Sequence, residues 1–199
     1  MSDKGLVHVP EQFASVPQEL ADVPGGDAAY QRLISLLDGS GARYRVIDHA
    51  PEGRTEEVSR YRGHPVAQGA KCLVVMVKTG KRTKRYFLAV VPGDARVDLP
   101  GLKALAEGSY VSFASADRAE ALSGSVSGTI LPFSFHPDLE LVVDPGVLEH
   151  EEIFFNAARL DRSLALHAED YRDHLHRVGA LIRPITAPRE PETGRVGQA

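Results

Sequence analysis

The chain has no tryptophan, one cysteine and two methionines among its 199 residues, and aromatic side chains make up 7% of it. A lone thiol, Cys72, excludes an internal disulfide and a multi-cysteine zinc site. It lies in the apolar run 72–77, where a thiol is expected to be buried, and such sparse cysteine usage fits a reducing, cytoplasmic compartment. Long apolar runs are missing too. None approaches the ~18 residues that would cross a bilayer, and no apolar segment follows the polar start of the chain as a secretory signal would require, so no membrane partner is expected. Nor is there an excess of positive charge. Lys and Arg number 23 against 27 Asp and Glu, a formal charge of -4, which excludes a general nucleic-acid coat held by bulk charge. A polyanionic partner would have to use a restricted basic face.

What is present is a globular composition, 43% hydrophobic and 25% charged, in a length that suits one domain. Residues 1–26, with Pro10, Pro17, Pro24 and Gly25-Gly26, read as a flexible leader with a short helix around 18–23. Residues 27–180 carry the periodic segments. Residues 181–199, with Pro184, Pro188 and Pro191, read as an exposed tail. Asp27 is the expected N-cap of a helix reaching Gly39, in which Tyr30, Leu33, Ile34, Leu36 and Leu37 recur at helical spacing. Further helices are predicted at 54–61, 99–107, 115–122 and 168–178. Strands are predicted at 43–47, 71–77, 85–91, 109–113, 140–143, 153–156 and 163–166, the second and third forming a hairpin around Gly80. Helices and short strands mix without βαβ alternation or internal repeat, which gives an α+β domain with a mixed sheet.

The usual catalytic signatures are absent. His167, His174 and His176 cluster around the last helix but lack the i, i+4 pairing of a helical metal site, so no metal and no cofactor are expected. Gly124-Ser125-Val126-Ser127-Gly128 has valine where a nucleophile elbow needs serine. Gly80-Lys81 is no phosphate loop, since Val75 stands where its first glycine belongs and Arg82 follows the lysine.

Three separated pieces stand out: Gly69-Ala70-Lys71 entering a strand; Gly128-Thr129-Ile130-Leu131-Pro132 followed by Phe133-Ser134-Phe135-His136-Pro137; and Phe154-Phe155-Asn156-Ala157 at a strand end. Each has an ordinary reading. A lysine at a strand entrance can cover apolar surface with its stem while its ammonium reaches water, a Gly-to-Pro segment can be a turn, and an asparagine can satisfy nearby backbone. His136-Pro137 equally suits a pocket group or a turn before the next strand.

Together and in this order the pieces resemble the YbaK/prolyl-tRNA synthetase-associated editing-domain family of aminoacyl-tRNA deacylases. Pro92-Gly93-Asp94, Asp98 and Phe113-Ala114-Ser115 extend the resemblance, which covers about residues 28 to 176. Arg62-Gly63, Gln68 to Lys71 and Leu160-Asp161-x-Ser163 are similar to its YeaK-like branch, whose proteins act on seryl-, threonyl- or alanyl-tRNA. The resemblance implies a mixed, mostly antiparallel barrel-like sheet surrounded by helices. It also implies metal-independent hydrolysis of the 3'-terminal ester of a tRNA mischarged with a small amino acid, assisted by the substrate's own ribose. Carried over, Gly128 and Thr129 would present backbone N–H groups to the ester carbonyl, Lys71 would place a charge near the terminal phosphate or ester oxygen, and Asn156 would orient loop or substrate. Pro132, Phe133 and His136 would contact substrate. A family histidine near the asparagine strand has no clear counterpart; His150 is equally an exposed turn residue.

Lys78, Lys81, Arg82, Lys84 and Arg85 place five cations in eight positions without an acid, and are the expected tRNA-binding patch; the ordinary reading is a solvated turn that discourages edge pairing. A synthetase or an elongation factor is a compatible further partner. The alternative from another class is a non-catalytic module binding a tRNA end or a protein.

Overall fold

The computed structural model of the protein describes residues 25–187; residues 1–24 of the expected leader and 188–199 of the expected tail lie outside them, and Gly25 and Gly26 belong to the first helix. Eight strands and five α-helices follow one another: α1 (Gly25–Ser40), β1 (Tyr44–Asp48), α2 (Thr55–Arg62), β2 (Ala70–Lys78), β3 (Lys84–Pro92), α3 (Leu99–Leu105), β4 (Tyr110–Phe113), α4 (Ala116–Ser123), β5 (Leu139–Val143), β6 (Glu152–Asn156), β7 (Arg162–His167), α5 (Ala168–Arg177) and β8 (Leu181–Ile182). The architecture is α+β, with strands paired mostly antiparallel. One sheet has the order β1-β7-β6 and the other β4-β2-β3-β5-β8. β3–β5 and β5–β8 are its parallel pairs. Among the described residues the sheets do not close into a barrel; they meet at a parallel bridge between Gly69 and Phe154.

That bridge positions the site. Lys71 lies two residues beyond Gly69 on β2 and Asn156 two beyond Phe154 on β6, so parallel pairing carries both side chains toward the same end of the junction.

The run Phe87 to Val91 is uninterruptedly apolar because its sheet is covered on both faces. Leu88 and Val90 join the large core with α1, α5 and the three-stranded sheet, while Phe87, Ala89 and Val91 join a smaller one under α3. This is the two-residue period of a strand.

Local differences from the expected pattern have physical causes. The first helix begins at Gly25, so Asp27 stands in its first turn and not at its cap, and its carboxylate accepts a bond from Arg159 Nη1 at 2.8 Å. Residues 181–187 are not an exposed tail. Leu181–Ile182 pair with β5, Ile185 is 1% exposed, and its N–H donates to Asp144 Oδ2 at 2.9 Å. Pro184 disfavours regular structure next to this anchor without preventing it.

Candidate active site

A cleft of about 400 Å³ opens where β2, β6, α2, α4 and the loop before Thr129 converge. Lys71, Gly128, Asn156, Arg62, Cys72 and Phe113 are among its lining residues, and no Asp or Glu is. An otherwise acidic chain thus presents two cations in one concavity whose lining carries no carboxylate.

Asn156 is the node. It is buried at 6% exposure, and its Nδ2 donates to the Gly128 carbonyl at 2.9 Å and to the Glu52 carbonyl at 3.0 Å. Both amide protons are therefore spent on holding two loops, and Oδ1 accepts from Arg62 Nη2 and from Ser163 Oγ. Arg62 Nε also donates to Ser163 Oγ at 2.8 Å, and His49 Nε2 lies 2.6 Å from the same oxygen.

Gly128 has φ +85°, in the left-handed region, and a Cβ there would lie 3.2 Å from the Gly53 backbone. Two loop backbones meet at this point, which only glycine allows without strain. The Gly128 N–H makes no hydrogen bond among the described residues, whereas the Thr129 N–H is occupied by Val126 O at 3.0 Å.

Lys71 Nζ donates to the Gly93 carbonyl at 2.8 Å. Gly93 is itself required there, since a Cβ would sit 2.3 Å from Val66 O. Half-buried, the Lys71 ammonium is shifted down by desolvation, against which Glu56 and Asp94 act. Burial lowers Arg62 to about 10, so it remains a cation at neutral pH. The Cys72 thiol is pushed up by burial, which leaves it protonated and a poor nucleophile.

The family model described as an aminoacyl-tRNA editing domain matches residues 49–174. The chain belongs to this family. Among curated relatives it is 42% identical over 153 residues to the multifunctional Ser/Thr-tRNA deacylase ProXp-y of Escherichia coli K12, covering 76% of this chain and 91% of that one. It is 28% identical over 147 residues to the prolyl-tRNA editing protein ProX of Acetoanaerobium sticklandii, covering 71% and 80%. The fold is shared with the hypothetical protein APE2540, at TM-score 0.69 and 22% identity over 78% of this chain and 99% of that one. It is shared also with a candidate trans-editing enzyme for prolyl-tRNA synthetase, at TM-score 0.66 and 20% identity over 80% and 98%.

In this member of the editing family, Lys71, Gly128 and Asn156 line one cleft, while other residues of the expected site do not. Thr129 is fully buried, and its Oγ1 and N–H both close a turn onto Val126 O, so neither is offered to a substrate. Phe133 is a core residue at 3% exposure, packed on Tyr171 at 5.3 Å and His174 at 4.8 Å between centroids. Pro132 is buried with its carbonyl accepting from Tyr171 Oη at 2.6 Å; it fixes the loop exit from below. His136 is a turn residue whose Nδ1 accepts from the Asp138 N–H at 3.1 Å. Thr129 is turned inward onto Val126, Pro132 and Phe133 follow Ile130 into the core, and His136 lies in the turn before β5: sequence adjacency to Gly128 does not give access to the cleft.

The basic hairpin lies elsewhere. Lys71 and Lys78 sit near opposite ends of β2, seven residues or roughly 23 Å apart at strand rise. Lys78, Lys81, Arg82 and Lys84 are exposed, Lys78 with its ammonium 5.1 Å from the Tyr110 ring centroid. Arg85 is already committed, its Nε donating to Glu140 Oε1 at 2.7 Å.

The histidines separate likewise. His174 is buried in the core and His176 exposed on α5, and among the described residues no three His, Cys, Asp or Glu side chains gather as a metal set. His150 does not line the cleft, and the histidine that communicates with Asn156 is His49, through Ser163. Arg62 and His49 were not singled out as site residues from sequence. For Arg62 a signal exists: Thr55, Val58, Ser59 and Arg62 follow the i, i+3, i+4, i+7 spacing of a buried helix face, and an arginine in that series needs a reason.

Proposed function

We propose that this chain hydrolyses the ester linking a small amino acid, such as serine, threonine or alanine, to the 3' end of a mischarged tRNA, and releases free amino acid and tRNA. Membership of the editing family and the likeness to a Ser/Thr-tRNA deacylase support the reaction. The single observation that carries it in this chain is the cleft in which Lys71, Gly128 and Asn156 converge without an acidic side chain.

An aminoacyl ester is an activated acyl group, so positioning and charge stabilisation suffice where a strong nucleophile is not provided. Water, oriented by the free hydroxyl of the terminal ribose, adds to the carbonyl carbon. The bond to the ribose oxygen then breaks, and that oxygen takes a proton. The Gly128 N–H, unspent among the described residues, is the donor available to the developing carbonyl oxyanion, and Asn156 fixes the loop that bears it. Lys71, anchored on Gly93 O, supplies positive charge to the same end of the substrate. No step requires a metal or a nucleotide.

The test is a deacylation panel with Ser-, Thr-, Ala- and Cys-tRNA. Release from one or more of the first three, insensitive to chelator and abolished by Lys71→Ala and by Gly128→Ala, is expected. A wild-type protein inactive on the whole panel yet binding tRNA would leave a binding module instead.

A further inference from the structure

Arg62 is a largely buried cation that the reaction as described above does not use. Its guanidinium lines the cleft, and burial alone shifts its pKa, with no carboxylate contributing. Two neutral oxygens hold it, Ser163 Oγ at Nε and Asn156 Oδ1 at Nη2. A guanidinium carries five N–H donors, and among the described residues the other three are unclaimed. Leaving a cation out of water without an anionic partner is costly, and hydrogen bonds to one serine and one asparagine oxygen do not neutralise its charge. Because Asn156 bonds Arg62 on one side and the Gly128 carbonyl on the other, the guanidinium stands one amide group away from the loop assigned to the ester.

We infer that Arg62 is an oxyanion receptor, a substrate-contacting residue whose free edge completes its charge pairing only when the 3' end of the substrate enters the cleft. This rests on the deacylase reading. The 3' end offers two oxyanions, the phosphodiester of the terminal nucleotide and the carbonyl oxygen as the ester becomes tetrahedral, and the planar fork of arginine suits either. Lys71 cannot stand in for it, since a single ammonium already anchored on a carbonyl presents a point charge and not a two-pronged donor edge.

The experiment compares Arg62→Gln and Arg62→Lys with wild type on two small esters, 3'-O-seryl-adenosine and its 5'-phosphorylated form. If the phosphate is the anion, Arg62→Gln removes whatever advantage the 5'-phosphate confers in KM, so that the two esters become equivalent substrates. If the tetrahedral oxygen is the anion, kcat falls roughly tenfold or more on both esters, with little change in KM. Either pattern, with Arg62→Lys recovering only part of the loss, upholds the inference. Wild-type kcat and KM on both esters in a folded Arg62→Gln protein overturns it, and so does full recovery by lysine.

A second measurement does not depend on the variants folding. In the wild-type protein the Arg62 guanidinium N–H resonance should shift on titration with adenosine 5'-monophosphate or with a phosphonate mimic of the tetrahedral intermediate. No shift with either compound overturns the inference. Should the wild-type protein hydrolyse neither ester nor charged tRNA, the deacylase reading fails alone, and this titration still decides whether Arg62 receives an anion.

Discussion

In the cleft, Lys71 and Arg62 are held by neutral oxygens, half or more buried, at fixed positions beside Gly128. At the β2–β3 hairpin, Lys78, Lys81, Arg82 and Lys84 stand in solvent on flexible stems about one strand length away. The same charge does different work in the two places. A cation in a low-dielectric concavity acts on one atom at short range and is little screened by salt, whereas an exposed cluster attracts a polyanion diffusely and is screened within about 10 Å. An acidic protein can therefore handle one end of a polyanion without coating itself in positive charge. The cleft would supply the chemistry and the hairpin at most the approach.

The contrast breaks most clearly at Lys71. Lys71→Met should lower the rate of deacylation by roughly 10²–10³. The loss should be the same at about 50 and 200 mM salt, because the group it removes is not a solvated surface charge. Single-turnover hydrolysis of charged tRNA at both salt concentrations measures it. A deficit that shrinks at high salt would mean that Lys71 works as the hairpin does.

Acid offers a second separation. The cleft cations keep their charge as pH falls, so acid failure is expected from the core beneath them. His174, enclosed by Phe133 and Tyr171, is lowered from 6.5 to about 4 by burial. Below 6.5 the unfolded chain binds a proton that the native histidine refuses. The associated stability is thus fully present above pH 6.5 and is lost as pH falls toward about 4, on the order of 3 kcal/mol in all. Denaturant titrations at a series of pH values should show this slope in wild type and a flatter one in His174→Phe. Equal slopes would place the acid response elsewhere.

Much of this arrangement is legible in the sequence, and the remainder has identifiable reasons for being hidden. The β2–β3 hairpin follows from apolar runs flanking a turn, and Pro100 behind the capping Asp98 marks the start of α3, with Asp98 Oδ1 accepting from the Gly101 N–H at 3.0 Å. Lys71, Gly128 and Asn156 could be named because their segments, taken together and in order, resemble the editing family, although each alone has an ordinary reading. That they converge depends on the Gly69–Phe154 bridge, which joins segments far apart in the chain and leaves no local pattern. The burial of Thr129 and Phe133 was illegible for the opposite reason: their neighbours are in the site, yet the chain dives into the core within two residues of Gly128. Ile185 was hidden by its prolines, which signal irregularity but say nothing about burial.

At the hairpin the expected effects are smaller. Lys81→Ala, Arg82→Ala and Lys84→Ala combined should weaken tRNA binding severalfold at low salt and reduce the slope of log K against log salt by roughly 2 to 3, as expected for three lost phosphate contacts. Hydrolysis of a short seryl-adenosine ester should not change, since that substrate never reaches the hairpin. Unchanged tRNA binding and slope in the triple variant would reduce the patch to a solvated turn.

The smallest effect is expected one residue away, at Arg85. Counted in sequence it belongs to the patch, but its guanidinium is paired with Glu140 across β3 and β5 and lies 4.9 Å from the Phe87 ring centroid. Its hydrogen bond to Glu140 raises its pKa and leaves little net positive charge for a phosphate to find. Arg85→Ala should therefore leave the salt slope of tRNA binding where it was, in contrast to its exposed neighbours. It should cost at most about 1 kcal/mol in stability, the range of a partly exposed ion pair. A double-mutant cycle with Glu140→Gln, read by denaturant unfolding and by tRNA binding together, separates the two roles. If Arg85→Ala instead lowers the salt slope by about one contact, Glu140 gives the arginine up to the phosphate, and the boundary between structural and recognition cations moves inward along β3.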